Sequence, residues 1–98
     1  MLQWEQFNSI QHRAKLIDNF TVFNFTNLYI VITEPLFNKS NYVASIMEGD
    51  VNTIFEAELS NEVDNLEDAK KEASFALFFR AKYYSQLLNA IETVLNNC

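Results

Sequence analysis

At 98 residues with 49% hydrophobic content, the chain is too apolar for a disordered tail and long enough to bury one core without disulfide or metal staples. A formal charge of -6 argues against direct nucleic acid binding, which calls for a cationic face. The opening Met-Leu-Gln-Trp-Glu lacks the layout of a secretory leader, no apolar run reaches membrane-spanning length, and the single cysteine, Cys98, has no disulfide mate; a soluble, cytoplasmic setting is expected.

Taken from the N-terminus, Trp4, Phe7, Ile10, Ala14 and Ile17 recur at steps of three and four, while Glu5, Gln6, Gln11, Arg13 and Lys15 point elsewhere. That spacing predicts an amphipathic helix ended by Asp18 and Asn19. Over 20–33 the composition turns to phenylalanine, threonine, valine, isoleucine and tyrosine, the strand formers. Alternation slips over 23–27, which reads either as a bulge in one strand or as a tight turn at Thr26 and Asn27 between two. Residues 28–32 are apolar on both faces, as a central strand requires, and 34–41 read as a loop.

Gly49 and Asp50, set between two alternating runs, predict a two-residue hairpin turn. In that register Glu48 faces Val51, Ile46 faces Thr53, Ala44 faces Phe55 and Tyr42 faces Ala57, all on the core side. Val43, Ser45, Met47, Asn52, Ile54, Glu56 and Glu58 then form a partly wet opposite side.

The last third, 66–96, has neither glycine nor proline and predicts one long helix. Asp64 or Asn65 can cap it, and Glu67 and Asp68 place negative charge at the positive end of its dipole. Leu66, Ala69, Ala73, Ala76, Leu77, Tyr84, Leu87, Leu88, Ile91 and Leu95 mark a core-facing stripe. About 30 residues at roughly 1.5 Å rise run about 45 Å, whereas three or four strands are roughly 15 to 20 Å wide. The helix is therefore expected to overhang its sheet, and either to break near 80–84 or to pack its overhang on another helix or subunit. Over 75–84 large apolar groups point to several sides, which makes Phe75, Phe78, Phe79, Tyr83 and Tyr84 the candidate interface of a homodimer.

The expected fold is one α+β domain over 1–98: an N-terminal helix, a three- or four-stranded mostly antiparallel sheet and a long C-terminal helix, in the order α-β-β-β-α. That order, with the lysine pair Lys70-Lys71 inside Asp-Ala-Lys-Lys-Glu-Ala, resembles the double-stranded RNA-binding domain. The resemblance implies RNA contact at the start of the last helix, but Glu67, Asp68 and Glu72 around the lysines oppose phosphate there.

Residue types that usually carry chemistry are scarce. His12 is the lone histidine and has no metal-ligand pattern near it, Cys98 is terminal, and there is neither a glycine-rich phosphate loop nor a nucleophile elbow. No catalytic residue, metal or cofactor is expected. Glu56 and Glu58 on one strand face leave a small carboxylate-dependent enzyme as a third reading.

Charge placement is more distinctive, since nine of the thirteen acids lie between Glu48 and Glu72. Glu56, Glu58, Glu62, Asp64, Glu67 and Asp68 are the candidate acidic face for a partner with a basic surface, such as a nucleic-acid-binding protein. In size and charge the chain resembles small acidic phage-type inhibitors, anti-restriction and anti-CRISPR proteins among them. The leading expectation is a non-enzymatic interaction protein that binds or inhibits a macromolecule through this face. The alternative is an assembly subunit that pairs through the aromatic helix.

Overall fold

Alternation, not helical periodicity, governs the N-terminal segment. In the computed structural model, which describes residues 2–17, 27–36 and 41–97, strands β1 (Trp4–Gln6) and β2 (Gln11–Ile17) form an antiparallel hairpin. Trp4 pairs with Ala14, Glu5 with Arg13 and Gln6 with His12. Asn8 closes the turn: its side-chain oxygen accepts the Ile10 N–H at 3.0 Å, while the Phe7 and Asn8 N–H groups donate to the Gln11 carbonyl at 2.9 and 3.3 Å. This Asx-type bond offers the backbone an alternative to the helical ladder. The expected N-terminal helix is thus replaced by two strands. The step of three and four from Trp4 to Ile17 mimicked a helix stripe, yet Ala14 reaches the core as the cross-strand partner of Trp4.

Strands β3 (Leu28–Thr33), β4 (Val43–Glu48) and β5 (Asn52–Glu58) continue the meander into an antiparallel sheet of five strands, ordered β1-β2-β3-β4-β5. The element order is β-β-β-β-β-α, so the fold is α+β, but the α-β-β-β-α order and the count of three or four strands do not hold. The likeness to the double-stranded RNA-binding domain loses its topological basis with them. β3 is the central strand expected from its two apolar faces, with Leu28, Ile30, Val31 and Ile32 all buried. Asn27, just before it, has φ 53, the left-handed region that asparagine tolerates. The other positions of the expected slip, like Asp18 and Asn19, lie outside the described residues.

The β4–β5 hairpin keeps Tyr42, Ala44, Ile46, Phe55 and Ala57 on the core side, but Val51 lies exposed in the turn and Thr53 pairs with Met47 on the other face, because the register differs. Glu48 pairs with Asn52, leaving three residues in the turn, and Ile54 is an extra residue between the pairs Met47–Thr53 and Ile46–Phe55. Ala44 consequently faces Ala57 instead of Phe55. Gly49 opens that turn with φ 68, the left-handed region that favours glycine, and its N–H donates to the Asn27 carbonyl at 3.1 Å. The bulge at Ile54 restores the inward direction of Phe55 and Ala57 beyond the longer turn.

Helix α1 (Leu66–Asn96) runs unbroken for 31 residues over one sheet face. Asn65 caps it, its side-chain oxygen accepting the Asp68 N–H at 2.9 Å. Ala69 and Ala73 are fully buried, and side chains this small let the helix settle closely onto Ile30, Ile32, Tyr42, Ala44, Leu59 and Val63. The sheet's other face is closed in part as well: Val31, Ser45 and Met47 are buried there, a correction to the partly wet surface expected for Ser45 and Met47. Arg13 lies on that face between the rings of Phe7 and Tyr29, at 4.1 and 4.3 Å from their centroids. Among the described residues no helix is long and apolar enough to cross a membrane.

Candidate functional site

The helix is longer than the sheet that supports it. At about 1.5 Å per residue, 31 residues extend about 46 Å, and the long axis of the molecule is 47 Å. Burial ends at Leu77, which is 5% exposed; every residue from Phe78 to Asn97 is exposed. The ring of Phe55 on β5 lies 5.7 Å from that of Tyr84. Beyond Tyr84 the core-facing stripe continues exposed: Leu88 is 55% exposed and Leu95 66%.

Two apolar surfaces emerge on this projecting half. At about 100° per residue, Leu77, Ala81, Tyr84, Leu88, Ile91 and Leu95 fall within about 40° of one line down the helix, alternating by four and three. This seam is the continuation of the face that packs on the sheet. Phe75 and Phe79 lie on the opposite side, with Phe78 turned a quarter-turn from the seam, and Phe79 is 64% exposed. The rings of Phe78 and Phe79 meet edge to face at 6.0 Å, and those of Tyr83 and Tyr84 at 5.5 Å. Of the five aromatics expected at an oligomer contact, only Tyr84 belongs to the seam; Phe78 and Tyr83 lie about 100° and about 120° from it on either side, and Phe75 and Phe79 lie opposite.

An open groove of about 580 Å³ forms where the seam leaves the sheet, lined by Ile54, Phe55, Ala81, Tyr84, Ser85 and Leu88. A smaller apolar hollow of about 240 Å³ lies near the helix end, lined by Ala90, Ile91, Val94 and Leu95. Leu88, Ile91 and Leu95 were legible in the sequence as apolar positions, but as part of a core-facing stripe; Val94 was not among them. Their exposure follows from how far β5 reaches along the helix, which periodicity does not encode.

The six acids of the expected partner-binding face are divided by the sheet. Phe55 and Ala57 pack toward α1, so Glu56 and Glu58 between and beside them project from the other face, where Glu58 accepts a hydrogen bond from Asn41 at 2.9 Å. Glu62, Asp64, Glu67 and Asp68 gather at the helix start. There Asp64 and Asp68 each accept from the Asn65 amide at 3.0 Å, and Glu67 pairs with Lys70 at 3.2 Å. Glu62 and Asp68 share a depression of about 480 Å³ with Ser60, Val63, Lys71 and Glu72. Lys70, lying 5.6 Å from the Trp4 ring, and Lys71 interrupt the negative surface.

His12 sits in β2 with its Nε2 2.9 Å from a carboxylate oxygen of Glu34, a half-buried link between β2 and the segment after β3. Among the described residues no three His, Cys, Asp or Glu side chains converge as a metal site. Cys98 lies outside the described residues. Comparisons of the chain with protein families, with curated proteins and with solved structures found no match.

Proposed function

We propose that this protein is a non-enzymatic interaction protein whose working surface is the projecting half of α1. One observation supports the reading: the apolar stripe that forms the core over residues 66–77 runs on, exposed, through Tyr84, Leu88, Ile91 and Leu95. An isolated exposed leucine means little, but a continuous seam of this length is the signature of a helix that docks on something. The acidic residues are secondary in this reading, because those at the helix start cap and neutralise α1 while Glu56 and Glu58 face elsewhere.

The test is a paired charge insertion in the seam, Leu88→Glu with Ile91→Glu. Both positions are exposed, so circular dichroism and thermal unfolding of the monomer should match wild type. Association, whether with another copy or with a protein captured from lysate, should be lost. A double variant that associates as the wild type does would remove the helix as the working surface.

A further inference from the structure

We infer that the occupant of the seam is a second copy of this chain, packed antiparallel so that the projecting half of each helix covers the other; this rests on the helix being the working surface. The exposed seam is nearly self-complementary. With Tyr84 set opposite the partner's Leu95, and Leu88 opposite its Ile91, every exposed seam residue from 84 to 95 gains an apolar partner in alternating layers, and the two-fold axis falls between Asn89 and Ala90. In this register the partner's Leu95 arrives at the groove formed by Ile54, Phe55, Ala81 and Tyr84. Each chain therefore supplies both the projecting helix and the recess that receives its end.

Sterics and charge both select the antiparallel arrangement. Paired helices approach to about 8 to 10 Å, so a partner on the seam occupies the layer directly beneath α1, which over 66–77 is the sheet's own. In a parallel pair the partner's helix would run on through the space that the sheet fills beneath Leu77 and Tyr84. In the antiparallel pair the partner's helix ends at the level of Tyr83, where the sheet begins.

Charged side chains over 78–96 are Arg80, Lys82 and Glu92, and the last turn carries no basic residue to offset the negative end of the helix dipole. Antiparallel packing lays that end at the level of the partner's Arg80, which stands about 60° from the seam line and so flanks the contact. Parallel packing would instead set one negative helix end beside the other.

Orientation is read by pulsed electron–electron distance measurement on nitroxides placed at single cysteines, in full-length protein carrying Cys98→Ser. Asn89→Cys lies next to the two-fold axis and should give a label pair within about 25 Å. Ser74→Cys, exposed on the sheet-covered half, should give about 45 Å in the antiparallel dimer, from about 31 residues of axial offset at 1.5 Å each, and about 25 Å or less in a parallel one. Adding Leu88→Glu with Ile91→Glu should abolish both distances. Short distances at both sites would overturn the antiparallel arrangement while leaving self-association intact. Absence of any pair distance at about 100 μM, with a monomer mass by light scattering, would overturn the second copy as occupant. In that case capture of another protein by wild type, but not by the seam variant, would still uphold the helix as a docking surface, so the two readings fail separately.

Discussion

Arg13 of β2 ties β1, β3 and the β4–β5 turn to its own strand through one side chain. Its guanidinium lies between the Phe7 and Tyr29 rings and stands 2.8 Å from both Glu5 and Asp50, so it joins β1, β2, β3 and the β4–β5 turn across the face away from α1. Both acids are largely exposed, and ion pairs of that kind contribute little. The stacked, apolar part of the contact should matter more. Arg13→Met, which keeps a long stem, is expected to cost about 1 kcal/mol in urea denaturation and Arg13→Ala about 2 kcal/mol; equal losses would show that charge carries the interaction instead. Asn65 invites an opposite intuition, since aspartate is usually as good a cap as asparagine. Here the Asn65 amide donates to both Asp64 and Asp68 at 3.0 Å, so Asn65→Asp exchanges two hydrogen bonds for two like-charge contacts. Asn65→Ala should lose about 1 kcal/mol, and Asn65→Asp no less; recovery of Asn65→Asp at acid pH would identify the repulsion. Tyr42 carries a pH signature. Burial first, then Glu34 and Asp64, raises its pKa above the usual 10.0, so its contribution to stability is whole below pH 10.0 and is lost as pH rises through the folded-state value. Tyr42→Phe should remove that part of the alkaline decline.

At the scale of elements, α1 is two helices in one: a buried half that holds the fold and an exposed half that does not. Leu77→Ala should therefore destabilise the monomer by about 2 to 4 kcal/mol, while Phe79→Ala, two residues on and 64% exposed, should change it by less than about 0.5 kcal/mol. Thermal unfolding at concentrations that keep the protein monomeric separates the two. The helix was legible in the sequence because local signals agreed over its whole length: a cap at Asn65, acids in the first turn, and an apolar stripe with no glycine or proline to break it. The N-terminal hairpin was hidden because Trp4, Phe7, Ile10, Ala14 and Ile17 satisfy a helical period by coincidence. Two weaker cues pointed the other way, the Asn8-Ser9 pair as a turn and the alternation of Ala14 with Arg13 and Lys15. The β4–β5 register failed for a related reason. A glycine followed by aspartate fits a two-residue turn locally, and only the pairing of Glu48 with Asn52, offset again by the bulge at Ile54, shows that the turn ends one residue later. The association surface was half legible: the sequence marks an apolar helix too long for its sheet, while the sheet's own edge decides which face is left uncovered.

For the molecule as a whole, a formal charge of -6 gives the two readings of its surface opposite responses to salt. Docking of acids onto a basic partner is an attraction that screening weakens, so binding should fall steadily as salt rises. Pairing of two copies through an apolar seam brings together bodies of like charge, and screening removes that repulsion. The sheets stand at opposite ends of the antiparallel pair, tens of ångströms apart, a separation that matters when the screening length is about 30 Å at 0.01 M salt and little when it is about 10 Å at 0.1 M. The dimer is accordingly expected to tighten by a few-fold between about 0.01 and about 0.1 M salt and then to hold nearly constant, because the hydrophobic contribution is not screened. Reversing Glu56 and Glu58 to lysine moves the formal charge from -6 to -2, two units for each position, and places the change on the sheet face away from the helix. That variant should dimerise as strongly as wild type and show a flatter low-salt response in sedimentation equilibrium. A dimer that instead loosens steadily with salt, and loosens further in the Glu56→Lys, Glu58→Lys variant, would mean that the acids themselves make the contact and that the seam of α1 does not.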